Sequence, residues 1–165
     1  MSRNRAVAVV ALLLIAGCAS DRDAVREMSE QQTAMTQEHA QWRSQLGVWA
    51  RTHDRIKAWH AQHPASSKEE GAVERLRHHE ESLVEHESDA SRFRGELAAL
   101  DERLAQVARR GERERLTGQA PLWAEHLKLK LAYEGLEAAH QQLEREHAAF
   151  LADSAGARAA TNAER

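Results

Sequence analysis

The chain has 165 residues and a formal net charge of −3; 30% of its residues are charged and only 4% are aromatic. Without an excess of basic residues, the composition excludes the positive surface by which proteins attract nucleic acid. So few large apolar side chains cannot fill a wide globular core, but they can fill the narrow interface of a coiled coil.

The amino-terminal segment has the layout of a secretion signal. Two arginines stand among the first five residues, and an apolar or small run of 12 residues follows from Ala6 to Gly17. A transmembrane helix needs roughly 20 such residues. We therefore predict a cleaved signal peptide over residues 1–17.

The end of this run, LIAGC at Leu14–Cys18, resembles the lipobox of bacterial lipoproteins. The resemblance implies cleavage between Gly17 and Cys18 and attachment of lipid to Cys18, which anchors the protein to a membrane. Cys18 is also the only cysteine, and a thioether removes an otherwise unpaired thiol. Because Ala19 is not the aspartate that signals inner-membrane retention, the resemblance implies the periplasmic face of the outer membrane. The alternative is an ordinary cleaved signal that leaves a free thiol.

The mature chain is rich in strong helix formers, and two prolines divide it. Pro64 and Pro121 each lie in a cluster of turn residues, where we expect regular helix to be interrupted. Ser66 or Ser67 suits the start of a second helix, Gly118 its end, and Pro121 the first turn of a third. The predicted helices cover about residues 21–62, 67–116 and 121–152, followed by a disordered tail over 153–165.

Apolar residues recur at alternating three- and four-residue spacing in each predicted helix, as in a coiled coil. We call these positions the seam. The predicted fold is all-α: an elongated, antiparallel, up-down-up three-helix coiled-coil bundle, because short connections make successive helices antiparallel neighbours. The apolar seam residues are Val25, Met28, Met35, Trp42, Leu46, Trp49 and Ile56, then Leu76, Leu83, Ala90, Phe93, Leu97, Leu100, Leu104 and Val107, then Leu122, Leu129, Tyr133, Leu136, Leu143 and Phe150.

Histidines occupy the same seam positions. Nine of the ten, all except His78, fall on them. Three interpretations stay open: imidazoles that cover a thin apolar stripe, a bundle that loosens when buried imidazoles become charged, or a metal site.

A metal site would need ligands from different helices, because histidines seven residues apart on one helix are about 10.5 Å apart along its axis. Folding the first hairpin about Pro64 places His53 opposite His79. It leaves His60, His63 and His78 near the tip of the hairpin. A shorter third helix should end before this tip and leave the five histidines exposed. They are the candidate ligands for a divalent transition metal.

Two tryptophans beside the seam, Trp59 and Trp123, are candidate partner contacts, with core packing as the alternative. The sequence holds no nucleophile motif, phosphate-binding glycine loop or paired zinc-binding cysteines, so we predict that the protein is not an enzyme. No cofactor beyond the lipid is expected, unless the histidines bind metal.

The favoured function is a structural or adaptor lipoprotein of the cell envelope that contacts a protein partner, or a second copy of itself, through its coiled coil. The alternative is a periplasmic metal- or ligand-binding module that uses the histidine-rich tip. Neither function involves nucleic acid.

Overall fold

The computed structural model describes residues 21–63, 71–110 and 112–163. They form three long helices, α1 (Asp21–Gln62), α2 (Ala72–Ala108) and α3 (Glu112–Ala163), so the prediction of an all-α protein is confirmed. Gly17 and Cys18 lie outside the described residues, and so does Pro64. None of the helices in the described ranges carries an apolar stretch long enough to cross a membrane.

The helices pack as an up-down-up bundle. α1 and α3 run parallel, because the ring contacts of His39 with His126 and of His53 with His140 both join residues 87 positions apart. α2 runs antiparallel to α1, because Gln32 Nε2 donates to the carbonyl oxygen of Leu104, 72 residues away, whereas further along α1 the paired residues are only 30 apart. The predicted topology is confirmed.

The seam forms the core of the bundle. Every apolar seam residue predicted from the sequence is buried or half-buried. Tyr133 stacks on both Trp42 and Trp49, with ring centroids 5.3 and 5.5 Å apart. The core is therefore a stack of side-chain layers along the bundle axis. Each layer contains one seam residue from each helix.

α2 begins at Ala72, later than the predicted start near residue 67. Gly71 precedes the helix with φ 87° and ψ −12°. This left-handed conformation cannot belong to a right-handed helix, and glycine adopts it without the steric cost of a Cβ. The predicted capping serines lie outside the described residues.

The boundary between the second and third helices was predicted wrongly. α2 ends at Ala108 rather than near residue 116, and α3 begins at Glu112, so Gly118 and Pro121 lie inside α3. Proline inside a helix costs about 3 kcal/mol. Packing around it favours helical backbone, because Leu122 is buried and Gln119 Nε2 donates to the carbonyl oxygen of Met28 on α1.

The third helix is also longer than predicted. It continues to Ala163, so residues 153–163 are helical and not the disordered tail expected from their composition. α3 therefore passes the level of the predicted histidine-rich tip. The expectation that a short third helix leaves this tip open is wrong.

Candidate metal centre

Two layers of the core consist entirely of histidine, with one ring from each helix. The central layer contains His53 of α1, His86 of α2 and His140 of α3, and the distal layer contains His60, His79 and His147 in the same helix order. Within each layer, one nitrogen from each ring lies within 4.8 Å of the other two. Each layer thus presents three imidazole ligand atoms to a common centre.

The heptad repeat produces both layers at once. On each helix the two histidines are seven residues apart, so the layers are one heptad and about 10.5 Å apart along the axis. The apolar layer of Ile56, Leu83 and Leu143 separates them, and each of these three side chains is at most 3% exposed. Two metal ions, one in each layer, would therefore be too far apart to share a ligand.

A hydrogen bond orients one ring of the central layer, and a nearby carboxylate faces a second ring. His86 Nε2 donates to the carbonyl oxygen of Leu136 at 3.0 Å. Since a carbonyl only accepts, the Nε2 carries the proton and the Nδ1 keeps its lone pair; this buried Nδ1 has no partner among the described residues. His53 Nδ1 likewise faces Glu87 Oε1 at 3.6 Å, which leaves its Nε2 for the centre.

The third ring of this layer completes the pattern. His140 Nε2 lies 3.5 Å from Glu144 Oε1, and His140 Nδ1 lies 3.3 Å from His53 Nε2. Two nitrogen lone pairs at this distance repel each other unless a proton or a cation lies between them. A tetrahedral zinc ion with bonds of 2.0 to 2.1 Å holds its nitrogen ligands about 3.3 to 3.4 Å apart. The distance between these two nitrogens suits such an ion, and the nitrogen of the third ring lies within 4.8 Å of both.

In the distal layer too, one ring nitrogen lies beside a carboxylate while the other faces the centre of the layer. His79 Nδ1 lies 3.2 Å from Glu146 Oε2, and His60 Nδ1 lies 3.6 Å from Glu80 Oε1. Within the described residues, His60 Nε2, His79 Nε2 and His147 Nδ1 are buried without a hydrogen-bond partner. Three unsatisfied nitrogens in one buried layer cost free energy that a bound cation would recover.

Burial favours the neutral, metal-binding form of His53, His60 and His147. It lowers the pKa of His53 to about 4, assisted by the neighbouring charges of His86 and His140. Burial also lowers the pKa of His60 to about 4, and it lowers the pKa of His147. A neutral imidazole with one free lone pair is the state that coordinates a transition metal.

A third histidine layer lacks its third ring. His39 Nε2 lies 3.0 Å from His126 Nδ1, while Asp101 Oδ1 holds His39 Nδ1 at 2.6 Å and Glu38 Oε2 lies 3.1 Å from His126 Nε2. On α2 the seven-residue step from His86 leads through Phe93 to Leu100, which is fully buried. Two rings bridged by a hydrogen bond do not form a three-ligand site.

Of the five histidines predicted as candidate ligands, three belong to the histidine layers and two do not. His53 does not face His79; it faces His86 and His140, because the hairpin pairs one heptad away from the predicted register. His60 and His79 do meet, in the distal layer, but both are buried rather than exposed.

The other two predicted candidates, His63 and His78, belong to neither layer. His63 stacks on Trp59, with ring centroids 4.7 Å apart, and His78 is exposed. The other three members of the two layers, His86, His140 and His147, were not among the predicted candidates. The available signal was that all three helices repeat a pair of seam histidines at the same seven-residue spacing.

The two tryptophans predicted as partner contacts are half-buried and lie against histidines. Trp59 contacts His147 edge to face at 5.2 Å, and Trp123 stacks on His126 at 5.2 Å. Both rings therefore pack within the bundle, and contact with a partner stays a prediction.

In comparisons with known proteins, no family model, curated protein or solved structure matches this chain.

Proposed function

We propose that this protein binds divalent transition-metal ions, two per chain, in the central and distal histidine layers. The observation that carries the proposal is the set of inward imidazole nitrogens, which are buried and gathered in threes. Three histidines with an open fourth position are a ligand set found in zinc proteins.

The ligand chemistry favours borderline metal ions. Imidazole suits zinc, copper, nickel and iron, whereas the hard ions magnesium and calcium prefer oxygen ligands. Neither layer contains a thiolate or thioether, the soft ligands typical of copper(I). A divalent ion of the zinc type fits the donors best.

The surrounding charges also favour a divalent ion. Glu87 and Glu144 lie beside the central layer, and Glu80 and Glu146 lie beside the distal layer. Three neutral imidazoles leave the full charge of a cation in a buried layer, and two nearby carboxylates offset a charge of +2. Carboxylates that orient metal-binding histidines also raise their ligand strength.

We further propose that the bundle acts in the bacterial envelope, anchored through lipid on Cys18. The lipobox resemblance supports this location. Mass spectrometry of the purified protein should find a lipid-modified amino-terminal cysteine, which Cys18→Ser abolishes. An unmodified Cys18 would contradict the anchor without affecting the metal proposal. The structural or adaptor role stays a prediction.

Metal stoichiometry tests the proposed function. The metal-free protein, titrated with Zn²⁺ against a chromophoric chelator, should bind two ions. His79→Ala should remove the distal site and leave one ion, whereas His78→Ala should leave two. This neighbouring histidine is a matched control, because it is exposed and belongs to neither layer.

Cobalt(II) then reports the geometry. Bound Co²⁺ should show the intense visible absorption of a four-coordinate ion, with half the signal lost in His86→Ala. The proposal would be overturned if the protein did not bind Zn²⁺ more tightly than about 10 µM. It would also be overturned if His79→Ala and His86→Ala each still bound two ions.

A further inference from the structure

A groove runs along the face between α2 and α3 beside the central layer, with a volume of about 540 Å³. Small residues of α3 form one wall: Ala132, Gly135 and Ala139. A Cβ added to Gly135 would meet no described atom within 4 Å. The groove is thus open space that larger side chains at these positions would fill.

The groove reaches both histidine layers. His86 of the central layer lines it, is only 3% exposed, and has a buried Nδ1 without a partner among the described residues. Glu146 lines the same groove, and its carboxylate accepts a hydrogen bond from His79 of the distal layer at 3.2 Å. A cation in the groove therefore lies beside one ligand and one ligand-orienting carboxylate.

The walls of the groove are acidic. Glu85, Asp89 and Glu96 line it together with Glu146, and Arg92 is the only cationic side chain among its lining residues. Arg92 Nη2 is itself bound to Asp89 Oδ1 at 2.8 Å. The excess of negative charge attracts cations and raises their local concentration.

Other helix interfaces near histidines are bridged instead by ion pairs. Lys57 of α1 binds Glu87 of α2 beside the central layer, with Nζ to Oε2 at 2.6 Å. Lys130 of α3 binds Glu38 of α1 at 2.7 Å beside His126. These cations neutralise carboxylates that face histidines, whereas Glu85 and Glu96 of the groove pair with no lysine or arginine among the described residues.

Building on the proposed metal function, we propose that this acidic groove between α2 and α3 is the port through which a divalent transition-metal ion reaches the histidine layers. An aqueous ion enters along Glu85 and Glu96 and exchanges its water for the imidazole of His86. Glu146 extends the path towards His79 and the distal layer.

Filling the groove tests the port. Gly135→Leu adds a side chain to its wall and replaces glycine with a better helix former, so the fold should be retained. Uptake of Co²⁺ is followed by stopped-flow absorbance, and its release by a chase with excess chelator. Both rates should fall by a common factor of roughly ten or more, with the equilibrium Kd unchanged, because a plug obstructs entry and exit equally.

Gly95→Leu is the matched control. Gly95 is an exposed helical glycine with open space around its Cα, but it does not line this groove. It should leave both rates at their native values. Native rates in Gly135→Leu, with two ions still bound, would overturn the port and leave the proposed function intact. If the native protein binds no Co²⁺ or Zn²⁺, the proposed function itself fails.

A charge variant tests the same port without adding bulk. Glu85→Gln combined with Glu96→Gln changes two exposed groove residues. Co²⁺ association should slow by about tenfold at low ionic strength, and the difference should vanish at high salt because the attraction is screened. Equal association rates at low salt would contradict the acidic port.

Discussion

His79 of α2 and Glu146 of α3 are joined across the helix interface, with Nδ1 of the ring 3.2 Å from Oε2 of the carboxylate. Burial alone would raise the pKa of Glu146, but hydrogen bonds from Gln142 and His79 outweigh it and lower that pKa. The carboxylate is therefore ionised at neutral pH and holds the proton of His79 on Nδ1. The Nε2 lone pair is left for the centre of the distal layer.

Glu146→Gln should weaken metal binding at the distal layer alone. An amide holds the ring less firmly and makes it a weaker ligand, and loss of such an outer partner typically costs 10- to 100-fold in affinity. A competitive Zn²⁺ titration should show one unchanged site and one weakened by about this factor. Glu134→Gln, at an exposed position of the same helix, is the control. Two unchanged sites in Glu146→Gln would show that the carboxylate does not support the ligand.

The metal-free bundle should lose stability as the pH falls. Burial lowers the pKa of His53 and of His60 from 6.5 to about 4, so the unfolded chain binds more protons than the folded one between these values. The stabilisation is full above pH 6.5 and is lost as the pH falls towards 4. The free energy of unfolding should fall by about 2 kcal/mol per ring between pH 7.5 and pH 5.

Urea unfolding in excess chelator at pH 7.5 and pH 5 measures this loss. His53→Leu should reduce the pH dependence, because leucine removes the titrating group while keeping an apolar side chain in the core. Equal free energies of unfolding at the two pH values would contradict the prediction.

Binding of a paramagnetic ion should quench the fluorescence of Trp59. Its ring lies 5.6 Å from His60 and 5.2 Å from His147, both in the distal layer, whereas Trp123 stacks on His126 in the layer without a third histidine. Trp123→Phe keeps Trp59, whereas Trp59→Phe keeps Trp123. We therefore expect Ni²⁺ to quench the fluorescence of Trp123→Phe more strongly than that of Trp59→Phe. The reverse order would place the ion away from the distal layer.

Leu100→His should create a third metal site. Leu100 occupies the seam position on α2 that lies two heptads after His86. Ring nitrogens of His39 and His126 already lie 3.0 Å apart. The variant should bind three Zn²⁺ ions. Leu97→His, at a buried seam position whose layer contains no histidine, should bind two. A count of two in both variants would mean that a third ring alone does not complete a site.

Much of the fold followed from local patterns. The alternation of apolar residues such as Leu46, Trp49 and Ile56 identified the buried face, because a coiled-coil seam repeats every seven residues whatever its partner. The helix ends were harder to predict. Local rules favour a helix start at Pro121, yet burial of Leu122 and the contact from Gln119 to α1 outweigh the cost of proline inside α3.

The candidate site, like the fold, was predictable from the sequence only in part. The heptad pattern already shows that the histidines share the seam with the apolar core, since both follow one repeat on each helix. Which rings meet depends on how the three helices pack. A shift of one heptad keeps seam positions opposite seam positions, so periodicity alone cannot set the register between helices. In the observed register, His86 and His140 meet His53, while His79 and His147 meet His60, so that six seam histidines form two layers of three nitrogens each.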